Sequence, residues 1–161
     1  MRFAFVMTAV LLAGSAMAQG HGGHGGGHEG HDMSAMEDTS RFGQPGDAAK
    51  ASRTVTVKAT EIAYDLAKLD VKAGETILFV LENDGTQDHE LGIGDDAFFE
   101  AHAKMMADMP GMKHDMPNMV SAKPGATAQF AWTFSKAGVF KFACSMPGHS
   151  ELGMTGPISV Q

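Results

Sequence analysis

The chain has 161 residues, 12 Lys and Arg against 19 Asp and Glu, and a formal charge of −7. That length holds one ordinary domain and excludes most multi-domain enzymes. An acidic balance without a basic cluster excludes nucleic acid as a partner, because phosphate binding takes Lys and Arg. The counts that stand out are 8 His, 13 Met and a single Cys, with 10 Phe to supply a core around one Trp and one Tyr. His and Met are clustered, so the composition points towards metal.

Arg2 precedes an apolar run from Phe3 to Leu12, and Ala13-Gly14-Ser15-Ala16-Met17-Ala18 follows. A charged start, an apolar middle and an A-x-A-like end make residues 1–18 a secretory signal. The apolar stretch is shorter than the ~20 residues that span a bilayer. Cleavage after Ala18 removes one basic residue, which takes the net charge from −7 to −8. The expected mature chain, Gln19 to Gln161, works in a prokaryotic periplasm without a membrane anchor. Export sharpens the meaning of Cys144. Oxidising compartments favour disulfides, yet a lone cysteine has no partner in its own chain. It is buried and inert, paired between chains, or bound to a metal. The metal explains its retention best, since an exposed thiol would oxidise.

Residues 19–51 read as a disordered tail. His21, His24, His28 and His31 lie among glycines and Met33 and Met36 follow, with no apolar periodicity to offset the entropy of ordering. Such a tail is solvated linker, with the further capacity to capture Cu(II) or other divalent ions loosely through neutral imidazoles. Ordered structure is expected from about Ser52, in one domain over 52–161.

From Arg53 the pattern is β. Val55, Val57 and Ala59 alternate with polar residues, and the run Ile77-Leu78-Phe79-Val80-Leu81 is apolar throughout, as in a strand covered on both faces. Asn83-Asp84-Gly85 marks a tight turn, and His89-Glu90-Leu91-Gly92-Ile93 forms another short strand. Phe130, Trp132 and Phe134 alternate, and after the Lys136-Ala137-Gly138 turn Phe140, Phe142 and Cys144 share a face. Ile158 and Val160 close a last strand. Short strands at this spacing predict an all-β, antiparallel sandwich. Residues 95–119 interrupt it as a Met-rich insertion. Asp95 or Asp96 caps a helix over Ala97–Asp108 with Phe98, His102, Met105 and Met109 on one stripe. Pro110-Gly111 ends it, and Met112, His114, Met116 and Met119 read as loop.

The chemistry is concentrated in Cys144-Ser145-Met146-Pro147-Gly148-His149-Ser150-Glu151-Leu152-Gly153-Met154. Cys, His and Met recur there at a five-residue step on a loop between two strands, and His89 begins a further strand. Two His, one Cys and a distant thioether form the ligand set of blue-copper sites. The thiolate shares electron density with copper, neutral imidazoles suit both oxidation states, and a long axial Met favours neither strongly. Other readings compete: Cys144 as a small buried hydrophobe, a Cys–His nucleophile pair lacking an oxyanion site, or zinc, which usually takes Cys or His where Met stands here.

On these residues the region from about Arg53 to Gln161 resembles a cupredoxin of the plastocyanin/azurin family. The Cys-to-Met spacing is similar to that of auracyanin, and the His-rich start with the Met-rich insertion resembles the CopI-type periplasmic copper-tolerance cupredoxins. The resemblance implies a Greek-key β-sandwich and matches His89, Cys144, His149 and Met154 to the ligands of one type 1 copper. One residue departs from the family. Asn usually follows the first ligand His and ties the ligand loops together; here Glu90 stands, which accepts from Ser145 or its amide.

The expected function is one-electron Cu(II)/Cu(I) cycling in a monomer that serves copper homeostasis, with copper ions and a redox or copper-transfer protein as partners. The alternative is a dedicated electron carrier, which needs an exposed His149 edge and an apolar rim such as Met146 and Pro147. An enzyme of the multicopper oxidase kind needs additional His clusters and is not expected. Six Met between Met105 and Met119, beside His102 and His114, serve either packing or a weaker Cu(I) site, for which Met109, Met112 and Met116 are the preferred donors.

Overall fold

A computed structural model describes Met36, residues 38–109 and residues 116–161. Among the described residues lie ten strands and one long helix: β1 (Gln44–Pro45), β2 (Arg53–Thr60), β3 (Ala63–Tyr64), β4 (Leu69–Val71), β5 (Thr76–Asn83), β6 (His89–Gly94), α1 (Asp96–Asp108), β7 (Met119–Ala122), β8 (Thr127–Thr133), β9 (Gly138–Ala143) and β10 (Thr155–Val160). They form two five-stranded sheets, in the orders β1-β8-β5-β2-β3 and β4-β10-β9-β6-β7. Alternation decides which side chains enter the space between them. Val57, Ala59, Ile77, Phe79, Leu81 and Trp132 come from the first sheet. Leu69, Val71, Leu91, Ile93, Phe142, Ile158 and Val160 come from the second, and all are buried.

The sandwich is not wholly antiparallel. β2 and β5 run parallel from Arg53–Ile77 to Ala59–Asn83, and β4 and β10 run parallel through Leu69–Ile158. Parallel neighbours need a crossover. The chain between β2 and β5 supplies it by visiting the second sheet as β4. The strand at 76–83 also differs from a doubly covered one: its residues alternate between buried and half-buried. Leu78 and Val80 face outward, where their registered neighbours are Thr54 and Ala131, and Thr56 and Gln129. Polar and small neighbours leave that face only partly covered.

The helix begins where Asp95 accepts from the Phe98 N–H at 2.8 Å, an N-cap that satisfies one of the first-turn donors. Phe98, His102 and Met105 point into the core and Met109 closes the last turn half-buried. Met119 is not loop: it is buried and opens β7 beside Gly92.

Ordered structure starts before Ser52, which corrects the tail boundary. Met36 and Phe42 are buried. Turns at Thr39–Arg41 and Ala48–Lys50 are capped by Asp38 and Asp47, and β1 pairs with β8. Phe42 stacks on Trp132 with centroids 5.5 Å apart and meets Phe98 edge-on at 5.7 Å. Arg41 reaches both Asp95 oxygens at 3.1 Å, tying this segment to the helix cap. Gly43 lets the chain cross the indole: a Cβ there would collide with Trp132 Nε1 and Thr133 O, at a φ of +150°. The His-rich stretch containing His21, His24, His28 and His31, and residues 1–18, expected to be a secretory signal, lie outside the described residues. No helix among the described residues is long and apolar enough to cross a membrane.

Candidate metal centre

His89 opens β6, and the turn before it is held by Asn83 at the end of β5. The buried Asn83 side chain accepts from the Gly85 N–H at 2.9 Å and donates to Gln87 O at 2.7 Å and Ala122 O at 2.9 Å. Ala122 is the residue registered opposite His89, so one amide fixes both the turn and the flanking strand. β9 pairs with β6 through Gly92–Ala143, which brings Cys144, the next residue, beside the start of β6.

The loop from Cys144 to Met154 is pinned by its own backbone. Cys144 N donates to Met154 O at 3.0 Å, closing its mouth; His149 N donates to Met146 O at 3.1 Å and Met154 N to His149 O at 2.9 Å. Gly148, at φ +82°, supplies the left-handed step just before His149. Each candidate ligand on the loop is therefore hydrogen-bonded through its backbone to another residue of the loop.

The side chains of His89, Cys144 and His149 converge, with one ligand atom of each lying within 4.8 Å of the others. Cys144 Sγ and His149 Nδ1 are 3.5 Å apart, and the two imidazoles are 5.1 Å between centroids at 50°. His89, Cys144 and Met154 are 0% exposed and His149 is 7% exposed. Both ring nitrogens of His89 are buried without a hydrogen-bond partner. Buried polar atoms are rarely left so, and an unpaired one costs about 1–3 kcal/mol. A metal ion would complete this one. Burial, and then the neighbouring His149 ring, hold the His89 pKa below its ordinary value and keep a lone pair available. Burial pushes the Cys144 thiol up, against the Glu90 and Met146 amides that favour its thiolate. A thiolate, two neutral imidazoles and a thioether are the donors of a type 1 copper site, and the residues present fit that ion.

Glu90 is placed differently from expectation. Its N–H donates to Cys144 Sγ at 3.4 Å. Its carboxylate accepts from Ser121 Oγ at 3.0 Å, the residue opposite it on β7, whereas Ser145 Oγ is buried without a partner. Glu90 shares its side of the β6–β7 ladder with Ser121, and cross-strand pairing decides the bond. From the other sheet, Tyr64 donates its hydroxyl to Glu90 O while its ring packs edge-on against Phe142 at 5.8 Å. Burial and then the nearby Cys144 thiol push the Tyr64 phenol well above its ordinary pKa.

This β-sandwich with a buried His, Cys, His and Met cluster defines a copper-binding cupredoxin. The profile of the copper binding proteins of the plastocyanin/azurin family matches residues 51–161, and the chain belongs to that family. It is 41% identical over 162 residues to the copper-resistant cuproprotein CopI of Rubrivivax gelatinosus, covering 100% of this chain and 97% of the relative. With the CopI of Pseudomonas aeruginosa it shares 37% identity over 149 residues, covering 74% of this chain and 82% of the relative. Among solved structures, the dithionite-reduced auracyanin of Roseiflexus castenholzii superposes with a TM-score of 0.56 at 24% identity, over 69% of this chain and 98% of that one.

Of the candidate auxiliary donors, Met109 and Met116 are among the described residues. Met109 and Met116 are half-buried and pack against the core; Met112, His114 and the tail imidazoles lie outside the described residues. His102 is buried and stacked on Phe98 at 6.2 Å. Sequence reasoning missed Tyr64, Asn83 and Ser121. Only Asn83 carried a signal, as an Asn opening a turn that leads to a candidate ligand.

Proposed function

We propose that the chain is an exported copper-tolerance protein in which His89, Cys144, His149 and Met154 hold one copper ion. The observation that carries this is the His89 imidazole, buried with no partner beside the Cys144 sulfur. Copper bound there supplies a one-electron Cu(II)/Cu(I) couple. The two imidazoles and the thiolate are positioned by strand pairing and by backbone hydrogen bonds within the loop, so little rearrangement accompanies a change of charge. Similarity to the CopI proteins supports a role in copper resistance, and residues 1–18 support a periplasmic location. The chain acts as a carrier or sequestering protein rather than an enzyme, and as a monomer. The tail histidines and Met112 add loose capacity, whereas the packing of Met109 and Met116 supports a core role for those two.

A second reading, an electron carrier between redox partners, draws support from the ligand loop. His149 retains 7% exposure beside exposed Pro147 and 69%-exposed Leu152, an apolar rim suited to brief docking.

Loading the full chain with Cu(II) is expected to give an intense visible thiolate-to-copper band that Cys144→Ser abolishes. A band that survives intact in that variant overturns the assignment. Deleting the gene separates the two readings: copper sensitivity with normal respiration supports tolerance, and the reverse supports the carrier.

A further inference from the structure

A groove of about 550 Å³ separates α1 from the ligand loop. Phe99, His102, Ala103 and Met106 line its helical wall, and these positions recur at the three- and four-residue steps that make one stripe of a helix. That stripe lies beside the one that buries Phe98, His102 and Met105, so the helix has a core face and a groove face. On the opposite wall stands Met146, two residues after Cys144, and Cys144 itself contributes to the lining although it is 0% exposed. Met106 and Met146 are both half-buried, packed against the core yet reachable from the groove.

The charges around the groove favour a cation. Glu100 and Glu151 are among its lining residues. Lys141, the one cation among the lining residues, is engaged by Asp96 at 2.7 Å and lies over the Phe99 ring at 5.1 Å. Thioethers are soft, neutral donors that select Cu(I) over hard divalent ions, and the unbranched Met side chain adapts to a ligand without disturbing the backbone.

We propose that this groove is a Cu(I) entry site in which Met106 and Met146 are the donors, and from which the ion passes to Cys144. Two neutral thioethers hold Cu(I) more weakly than a thiolate with imidazoles, so the groove loads first and yields to the deeper cluster. The transfer exchanges the thioether bonds for bonds to Cys144 Sγ and the imidazoles; the thiol proton leaves to water and the oxidation state is unchanged. The destination rests on the copper-centre reading above, whereas the groove site stands without it.

Methionine-methyl NMR of the full chain carrying Cys144→Ser tests the groove, with Cu(I) added alone under anaerobic, reducing conditions. The Met106 and Met146 ε-methyl signals should shift together, and Met146→Leu should abolish the Met106 shift. Signals that stay fixed, or move independently, overturn the site. The route is tested with Cys144 intact, by the rate at which Cu(I) protects the thiol from alkylation. Replacing both thioethers with Leu should slow protection about tenfold or more while its final extent is kept; an unchanged rate overturns the route. If Cu(I) shifts the two methyl signals but never protects Cys144, the groove site stands and the copper-centre reading fails.

Discussion

Two regions of the interior are equally dry and differently finished. Around Phe42 the groups complete one another: the ring stacks on Trp132, meets Phe98 edge-on, and its carbonyl accepts from Trp132 Nε1 at 3.4 Å. Around Cys144 the polar inventory does not close. His89 keeps two partnerless ring nitrogens and Ser145 a partnerless hydroxyl. The first region stabilises the sandwich from its own atoms. The second holds donors in place for a group that comes from outside. Stability and metal binding are thereby assigned to separate sets of residues.

That separation breaks if changes in one region are read out in the other. The largest effect on folding is expected from Phe42→Ala, about 3–5 kcal/mol, a large share of the 5–15 kcal/mol typical of a domain. Denaturant titration measures it, and the copper-loaded band should keep its wavelength; a moved band would show that the regions are coupled. Gly43→Ala should cost about 1–3 kcal/mol through overpacking against the indole, read as a lower midpoint with an unchanged band.

His89→Phe sharpens the contrast from the other side. It removes two unsatisfied nitrogens, so the metal-free protein should hold or gain about 1 kcal/mol while the copper band is lost. The pH dependence follows from the same residue. Burial keeps the folded His89 pKa below 6.5, so as pH falls below that value the unfolded chain takes up the proton first. Metal-free stability is therefore full above pH 6.5 and declines below it, and His89→Phe should flatten that decline in thermal melts across the acid range. The smallest effect is expected from Tyr64→Phe. Losing the bond to Glu90 O should cost about 0.5–1.5 kcal/mol and shift the copper band, because the Glu90 amide that donates to Cys144 is released from one side.

The gathering of His89, Cys144 and His149 is legible in the sequence because a lone thiol with imidazoles and a thioether at loop and strand-end positions has few uses other than holding a soft metal. The helix at 96–108 is legible for a local reason, an Asp cap followed by a 3.6-residue stripe. Phe42 is not, since one aromatic among Gly, Pro and polar residues carries no period, and its burial is decided by Trp132 and Phe98 far along the chain. The parallel neighbours escape for a related reason: alternation shows which face a residue takes, not which strand lies beside it. Tyr64 and Ser121 find their partner at Glu90, across spans over which no local pattern extends.

The bond between Cys144 N and Met154 O has a consequence for how this protein can change. It shuts the ligand loop at its base, so β9 and β10 keep their register whatever lies between. Residues inside that clasp form a replaceable cassette: lengthening, shortening or retyping them alters the reach of His149 and the shape of the rim, while the strands beneath are left as they were.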